Sequence, residues 1–290
     1  MSTPQRRPEQ RPKGEHEVRG LAFRDDREEA EEEGEQQSAG RPPAPPARRL
    51  TWLKLTFMPV LLAAGVGATL IYINTTSLDS ISRNSLANDA TQTALWQHIQ
   101  LTAISTFFVL IIAIPLGIAL TRKAARRASP FVMALANIGQ ATPAIGLLAL
   151  LVVWLGTGRE PALIGITIYA VLPVLSNTIA GLRATDPTLI DAARGIGMSA
   201  PGVLLRVELP LAVPLILAGV RTALVLNVGT ATLATFGGGG GLGDLINAGI
   251  TNQRMPVLIL GSVLTVALAL LVDWLASIAE VLLRPRGLET

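Results

Sequence analysis

The chain of 290 residues is 50% apolar, with a mean hydropathy of +0.47 and a pI of about 9.8. It has no cysteine and only two histidines, so it excludes disulfides, thiol chemistry and a His/Cys metal site, and it argues against a Ser-His-Asp triad. This apolar excess indicates a membrane protein, and because the basic residues lie in the loops between apolar segments, we expect no nucleic-acid partner.

Residues 1–49 form a charged polar tail with 10 Lys and Arg and 11 Asp and Glu. Such a segment cannot bury a core, so we predict a disordered cytoplasmic tail. It is either a regulatory or tethering arm, or a dispensable extension or misassigned start. We do not expect a signal peptide, because no apolar segment follows the first basic residues.

Six apolar segments follow, and a transmembrane helix needs about 20 apolar residues. Their approximate bounds are 55–73, 99–120, 131–155, 162–182, 209–236 and 257–282, with a polar loop or surface helix expected over 74–97. The third segment is interrupted around Pro143. The pattern predicts an all-α, polytopic membrane protein of about six transmembrane helices. We divide it into the tail, a first helix with an external loop (50–97), a core domain (98–283) and a C-terminal end (284–290).

The distribution of basic residues predicts the orientation in the membrane. The tail end, the 121–130 loop, the 183–208 loop and the C-terminal end together hold 12 Lys and Arg, whereas the other three loops hold only Arg83, Arg159 and Arg254. Cytoplasmic loops carry the basic excess in membrane proteins. Both termini and the 183–208 loop are therefore expected on the cytoplasmic side of a plasma (inner) membrane.

The stretch from Asp186 to Pro210 is the longest charge-bearing block between the spans of the core domain, and it predicts two short amphipathic helices. Asp186 and Ser199 are the expected N-caps of the two helices. Gly195 and Gly197 are the expected left-handed end of the first. In the second helix, one face is formed by apolar side chains, with Arg206 turned away. These side chains are Val203, Leu204 and Val207.

The same stretch resembles the signature of permease subunits of ATP-binding-cassette importers. That signature is E-A-A, three residues, G, nine residues, then I-x-L-P. Here it reads Asp191-Ala192-Ala193, three residues, Gly197, nine residues, then Val207-Glu208-Leu209-Pro210. The spacing matches throughout, with Asp191 in place of Glu and Val207 in place of Ile. The segments DAARGIGMS, VELPLAVPLILAGVRTA, GTATLATF and GGGGLGDLI are similar to permeases of glycine betaine, choline and related quaternary-amine uptake systems, over about residues 90–283.

The resemblance implies a binding-protein-dependent importer permease fold with a cytoplasmic coupling helix that docks on a separate ATPase. Gly197 then allows a tight bend, and Ala192 and Ala193 allow close packing. ATP and Mg are expected in the partner ATPase and no cofactor in this chain. An extracytoplasmic binding protein is the expected source of solute. One chain offers one coupling loop, so two copies are expected, most simply as a homodimer. The alternative is an amphipathic loop lying on the membrane surface.

Other residues suggest sites within the spans. Polar side chains in the third, fourth and fifth spans are candidates for a translocation path, and interhelical hydrogen bonding is the alternative that we favour for any single one of them. They are Asn137, Gln140, Thr142, Pro143 (at the break), Asn177, Asn227 and Thr230. Arg221 and Asp273 lie at similar depths on consecutive antiparallel spans, so we expect a buried ion pair or, alternatively, two groups facing a wet cavity.

Glycines after the fifth span spell G-x-G-x-x-G at Gly238, Gly240 and Gly243. They follow a membrane helix rather than a strand, so no nucleotide site is expected. We expect either an irregular or re-entrant segment at the outer mouth, or a plain flexible loop.

The sequence therefore favours a non-enzymatic permease of an ATP-driven importer for a small osmolyte-like solute such as glycine betaine or choline. Only 12 aromatic residues are present, and no aromatic cage for a quaternary ammonium group is evident. The assignment of the substrate therefore depends on the resemblance alone. The alternatives are a permease for another small solute, such as an amino acid, and a stand-alone secondary carrier. An intramembrane enzyme is disfavoured because no nucleophile–base pair is present.

Overall fold

The computed structural model describes residues 52–283, without the side chains of residues 52–55 and Asn88, and these residues form helices and turns only. The predicted tail and C-terminal end lie outside the described residues. The α-helices are α1 (Trp52–Thr75), α2 (Ser80–Ser85), α3 (Asn88–Thr121), α4 (Ser129–Ala141), α5 (Ala144–Leu155), α6 (Arg159–Arg183), α7 (Pro187–Gly195), α8 (Ala200–Val203), α9 (Leu209–Ala231), α10 (Leu242–Thr251) and α11 (Met255–Leu283). A π-turn (Leu204–Glu208) joins α8 to α9, and 3-10 turns cover Arg126–Ala128 and Thr232–Gly237.

Five helical segments in the described part are long and apolar enough to cross a membrane, and a sixth is formed if α4 and α5 count as one span. The axes of α4 and α5 are bent by 97° relative to each other at the break between Ala141 and Ala144. Pro143 occupies this break, as the sequence suggested, because proline disfavours a helical conformation in the residue before it.

Contacts between helix ends show that α4 and α5 together cross the bundle. On one side, here called the Glu208 face, Arg122 after α3 pairs with Glu208 before α9. Ser129, at the start of α4, accepts a hydrogen bond from Arg183 at the end of α6, which also leads to this face. On the opposite side, here called the Gly237 face, the N–H of Gly158 after α5 donates to the Gly237 carbonyl after α9. The bent pair therefore begins on one face and ends on the other.

The first and last helices close the arrangement. Asp79 follows α1 and pairs with Arg254, which precedes α11, with Nε and Oδ2 2.9 Å apart. Since α10 has only 10 residues and is too short to cross a membrane, α11 starts on the Gly237 face, where α9 ended. The start of α1 and the end of α11 therefore share the Glu208 face, as six spans require.

Helix α6 occupies the centre of the bundle, where α3 and α9 pack against it. Small residues permit the close approach between α6 and α9. A Cβ on Gly219 would lie 2.8 Å from the Pro173 carbonyl, and one on Gly181 would lie 3.0 Å from the Ala212 carbonyl. Large apolar side chains such as Phe107, Phe131 and Val153 are exposed on the outside of the bundle, as a lipid-facing surface requires.

Two sequence expectations need correction. The helix of the second span starts at Asn88 rather than near residue 99, so it takes up the last part of the polar loop or surface helix expected over 74–97, and α2 lies in the earlier part. The polar segment after the fifth span contains α10, which pattern analysis missed because the helix is short. Leu242 and Leu245 of α10 are buried, so this region contains a short packed helix rather than a plain loop.

Candidate coupling site and membrane-embedded polar residues

The coupling segment, residues 186–210, begins with a capped helix. The Asp186 carboxylate accepts a hydrogen bond from the backbone N–H of Thr188 at 2.8 Å. Because this bond stabilises the charged form, it lowers the pKa of Asp186. Gly197 follows α7 with a left-handed φ of 87°, whereas Gly195 remains helical as the last residue of α7. Only one of the two glycines therefore supplies the left-handed turn.

The motif residues on α7 divide between surface and interior. Asp191 and Ala192 are exposed, whereas Ala193 is buried. Two apolar side chains are also exposed here: Leu189, and Ile196 with 82% of its surface accessible. Leu189 lies in the first turn of α7 and Ile196 directly follows its last residue, so both ends of the helix expose an apolar side chain.

The second half of the coupling segment is not a separate helix, which corrects the sequence prediction. α8 is one turn, capped by the Ser199 hydroxyl that accepts from the Gly202 N–H at 3.4 Å. It continues through the π-turn into α9 without a break. Pro210 does not interrupt this path, because a proline in the first turn of α9 removes a single N–H and leaves the helix intact.

The side chains of this second half lie as expected. Val203 is buried, Leu204 and Val207 are half-buried, and Arg206 is exposed. Leu209 and Pro210, which complete the motif, are half-buried in the first turn of α9. The motif therefore runs from an exposed helix on the Glu208 face into a membrane-spanning helix.

Glu208 is a site residue that the sequence analysis missed. Only 4% of it is exposed, and its Oε1 accepts from Nη1 of Arg122 at 3.0 Å, while Arg122 Nη2 contacts Oε2. One signal was available: a carboxylate among apolar residues at the start of a span needs a partner. The sequence did not say which of the basic residues in the loops supplies it.

The candidate path residues of the third span lie around the bend between α4 and α5. Asn137 and Pro143 are exposed, and Gln140 and Thr142 are half-buried. The Thr142 hydroxyl donates to the Ile138 carbonyl at 2.7 Å, and its own carbonyl accepts from the Tyr169 hydroxyl. The bend is thus tied to α6 by hydrogen bonding.

The candidates on α6 and α9 also have protein partners. Asn177 donates to the Pro173 carbonyl at 2.8 Å, and Thr230 donates to the Leu226 carbonyl at 2.8 Å, each within its own helix. Asn227 is fully buried and donates to Thr106 Oγ1 on α3 at 2.8 Å. Asn227 therefore joins two helices, as the interhelical alternative expected.

One cavity lies beside these residues and is lined by Tyr169, Thr230 and apolar residues of α5, α6 and the turn after α9. As it stands, it has room for about one water molecule. Of the seven candidate path residues, only Thr230 lines it.

Arg221 and Asp273 pair across α9 and α11. Arg221 Nε lies 2.5 Å from Oδ1 and Nη2 lies 2.7 Å from Oδ2, in a two-point contact. Glu280, two turns further along α11, approaches Nη1 at 3.9 Å. The structure therefore brings together the two charges that the sequence placed at similar depths, and adds a second carboxylate.

His98 and Gln97 form a second site that sequence analysis missed. His98 is fully buried on α3, its Nε2 lies 3.0 Å from the Val228 carbonyl, and its Nδ1 accepts from the Leu242 N–H at 3.3 Å. The neighbouring Gln97 Oε1 accepts from the Gly241 N–H at 3.1 Å. These contacts hold the start of α10 against α3 and α9.

Six spans with an exposed, capped helix between the fourth and fifth define a transport permease. Residues 113–284 match the family described as the binding-protein-dependent transport system inner membrane component, and the chain belongs to this family. It is thus a non-catalytic subunit of a binding-protein-dependent transporter, which works with an ATPase and a solute-binding protein.

Curated relatives and solved structures agree with this assignment. The chain is 38% identical to the choline transport system permease protein OpuBB of Bacillus subtilis, over 67% of this chain and 88% of that protein. It is 42% identical to the osmoprotectant import permease protein OsmY of Salmonella typhimurium, over 62% of this chain and 76% of that protein. Its fold is similar to the inward-facing MetNI methionine transporter, with a TM-score of 0.59 and 24% identity, covering 67% of this chain and 96% of that chain.

Proposed function

We propose that this permease imports a small quaternary amine, such as glycine betaine, choline or carnitine, delivered by an extracytoplasmic binding protein. The observation that carries the proposal is the identity of 38% to a permease named for choline, over 88% of that protein's length. Relatives named for carnitine and for osmoprotectants match over similar lengths. The methionine transporter is only 24% identical, so its likeness supports the fold and not an amino-acid substrate.

The Glu208 face is the cytoplasmic face in this proposal. The exposed basic residues Lys123, Arg126 and Arg127 lie there, together with the exposed Arg194 of α7. Positive charge concentrates on the cytoplasmic side of membrane proteins. The start of α1 and the end of α11 then lead to cytoplasmic termini.

In this orientation, α7 is a coupling helix that docks on the ATPase. Its N-cap fixes the start of the helix, the turn at Gly197 ends it, and the exposed Leu189 and Ile196 supply apolar contact area. ATP and Mg bind in the partner, and this chain supplies no cofactor site. Because one chain carries one coupling helix, the transporter contains two permease copies, most simply as a homodimer.

The solute path in this proposal follows the inner polar residues around the bend between α4 and α5. The half-buried Gln140 and Thr142 lie at this bend, and Thr230 faces the cavity beside it. Since that cavity holds about one water molecule, the helices must separate for a solute to pass. Movement of α7 with the ATPase provides the driving force for that separation.

A transport assay with purified components tests the proposal. The permease is reconstituted in liposomes with its partner ATPase and solute-binding protein. Glycine betaine, choline or carnitine should stimulate ATP hydrolysis and uptake, whereas amino acids should not. Stimulation by amino acids alone would reassign the substrate. Uptake driven by an ion gradient without the ATPase would instead identify a secondary carrier.

A further inference from the structure

The ion pair between Arg122 and Glu208 joins two membrane helices at the point where the coupling segment enters the bundle. Arg122 is the C-cap of α3, and Glu208 is the last residue of the π-turn before α9. Both guanidinium Nη atoms contact the two carboxylate oxygens, with Nη1 3.0 Å from Oε1. A two-point contact of this kind fixes orientation as well as distance.

The Arg122 side chain is itself held by α3. Its Nε and Nη2 donate to Thr121 Oγ1 at 3.1 and 3.0 Å, and Thr121 Oγ1 donates in turn to the Ile118 carbonyl at 2.7 Å. The guanidinium is therefore anchored to the last turn of α3 before it reaches Glu208. The side chain that contacts Glu208 is thus fixed to the α3 helix by hydrogen bonds.

Glu208 has no other cation within ion-pair distance in the described part of the chain. Its side chain is 6% exposed, so its charge is largely removed from water. Separating a buried carboxylate from its partner leaves an uncompensated charge, which is strongly unfavourable. Moving α3 together with the π-turn avoids that penalty.

The pair also differs from the other charges on the same face. Lys123, Arg126, Arg127, Arg194 and Arg206 are exposed, and none of them pairs with a carboxylate among residues 52–283. Arg122, in contrast, is half-buried and pairs with the buried Glu208, while Arg183 on the same face donates to the Ser129 hydroxyl instead of a carboxylate. General attraction to the membrane surface or to a partner therefore does not explain its position.

We infer that the Arg122–Glu208 pair locks the end of α3 to the start of α9, so that movement of the coupling helix displaces both spans together. Arg122 and Glu208 are then positioning residues for transport. The inference rests on the proposed function, since it assumes that an ATPase moves α7. Without the pair, docking and ATP hydrolysis continue, but less of the movement reaches the spans.

A reversible tether tests this directly. Because the chain has no cysteine, Arg122→Cys combined with Glu208→Cys introduces the only two thiols. In the reduced state the charges are missing, and we expect solute transported per ATP to fall by on the order of tenfold, within the usual range of coupling between sites. Joining the thiols with a short bifunctional maleimide should recover most of the lost solute transport per ATP. If the tether instead abolishes transport, α3 and α9 separate during the cycle and the inference is wrong.

Charge variants provide an independent measurement. Glu208→Gln and Arg122→Gln should each lower solute transported per ATP while the ATPase still co-purifies, and the exchange Arg122→Glu with Glu208→Arg should recover part of the coupling. Arg126→Gln is the matched control, because Arg126 is exposed in the same loop and should leave the ratio unchanged. The inference would be overturned if both single variants transported as much solute per ATP as the wild type. It would also be overturned if Arg126→Gln lowered solute transported per ATP as much as they do. Wild-type protein that shows no ATP-driven uptake would count against the proposed function instead.

Discussion

Arg221 of α9 and Asp273 of α11 face each other within the membrane-spanning part of the bundle, with Nε and Oδ1 2.5 Å apart and Nη2 and Oδ2 2.7 Å apart. Each side chain is less than one-third exposed. The charges of Arg221 and Asp273 partly neutralise each other at this distance, and Glu280 places a further negative charge 3.9 Å from Arg221 Nη1. The pair joins the last span to the helix that carries the coupling motif.

A double-mutant cycle should reveal this pairing as coupling. Arg221→Ala and Asp273→Ala should each lower the thermal stability of the detergent-purified permease, because each leaves a charge without its partner. The double variant should lose less than the sum, with a coupling energy of about 1–3 kcal/mol. Thr222→Ala is the control on the exposed neighbouring position. Additive losses would show that the two side chains act independently.

Gly197 and Gly195 should respond oppositely to alanine. Neither site has an atom within 4 Å of an added Cβ, so space does not distinguish them. At Gly197 the φ of 87° should cost an L-residue about 1–2 kcal/mol, whereas alanine at the helical Gly195 should stabilise α7 by about 0.5–1 kcal/mol. Affinity for the ATPase, measured by titration, should fall only for Gly197→Ala. Equal effects would mean that the left-handed turn is not needed for docking.

Gly197→Glu tests docking itself. A long charged side chain at this turn, combined with the backbone strain, should loosen the ATPase and uncouple transport. The measurements are stoichiometry of co-purification and uptake in liposomes. A variant that retains a full complement of ATPase and transports normally would rule out this turn as a contact surface.

His98 should contribute more to stability than Gln97. The imidazole satisfies two main-chain groups at helix ends, the Val228 carbonyl and the Leu242 N–H, both of which lie in buried surroundings. A buried polar group left without a partner costs about 1–3 kcal/mol of stability. His98→Ala leaves two such groups, the Val228 carbonyl and the Leu242 N–H. Gln97→Ala removes one bond, to the Gly241 N–H, at a half-buried site. The loss of thermal stability should therefore be larger for His98→Ala, and the reverse order would mean that the bridge is unimportant.

Gly249 should not tolerate alanine. Its added Cβ would lie 2.5 Å from the Leu258 backbone nitrogen and 2.6 Å from the Leu258 Cα, so α10 and α11 would have to move apart. Overpacking of this kind costs typically about 1–3 kcal/mol. Gly229, on α9, is the control because nothing lies within 4 Å of its added Cβ. Thermal unfolding should distinguish the two variants, and equal stability would show that the α10–α11 contact adapts.

The spans were predictable because lipid leaves few choices for the backbone. A long apolar run in a bilayer must be helical, since no water is present to satisfy its amide groups. The break at Pro143 was predictable for the same local reason, from the effect of proline on its neighbour. Beginnings and ends were harder to place. Residues 88–97 carry polar side chains that favour a loop, yet they extend α3, because Ala94, Gln97 and His98 pack against α10 or cap it.

The coupling segment shows the same division. The caps at Asp186 and Ser199 and the turn at Gly197 follow from local conformational preferences, and they were evident in the sequence. The continuity of α8 with α9 was not, because it depends on a π-turn that places Glu208 inside the bundle. A π-turn leaves no reliable pattern in a single sequence.

The sequence by itself determined that this chain is built of membrane-spanning helices, which loops carry the basic residues, and that residues 186–210 have the spacing of an importer-permease signature. Those conclusions rest on composition, spacing and local preferences, which need no knowledge of distant contacts. Only the tertiary structure decided which charges meet: Arg122 with Glu208, 86 residues apart, and His98 with the start of α10, 144 residues away. Hydrogen bonds and ion pairs act over a few ångströms, so their partners are set by how the helices pack and not by their order along the chain.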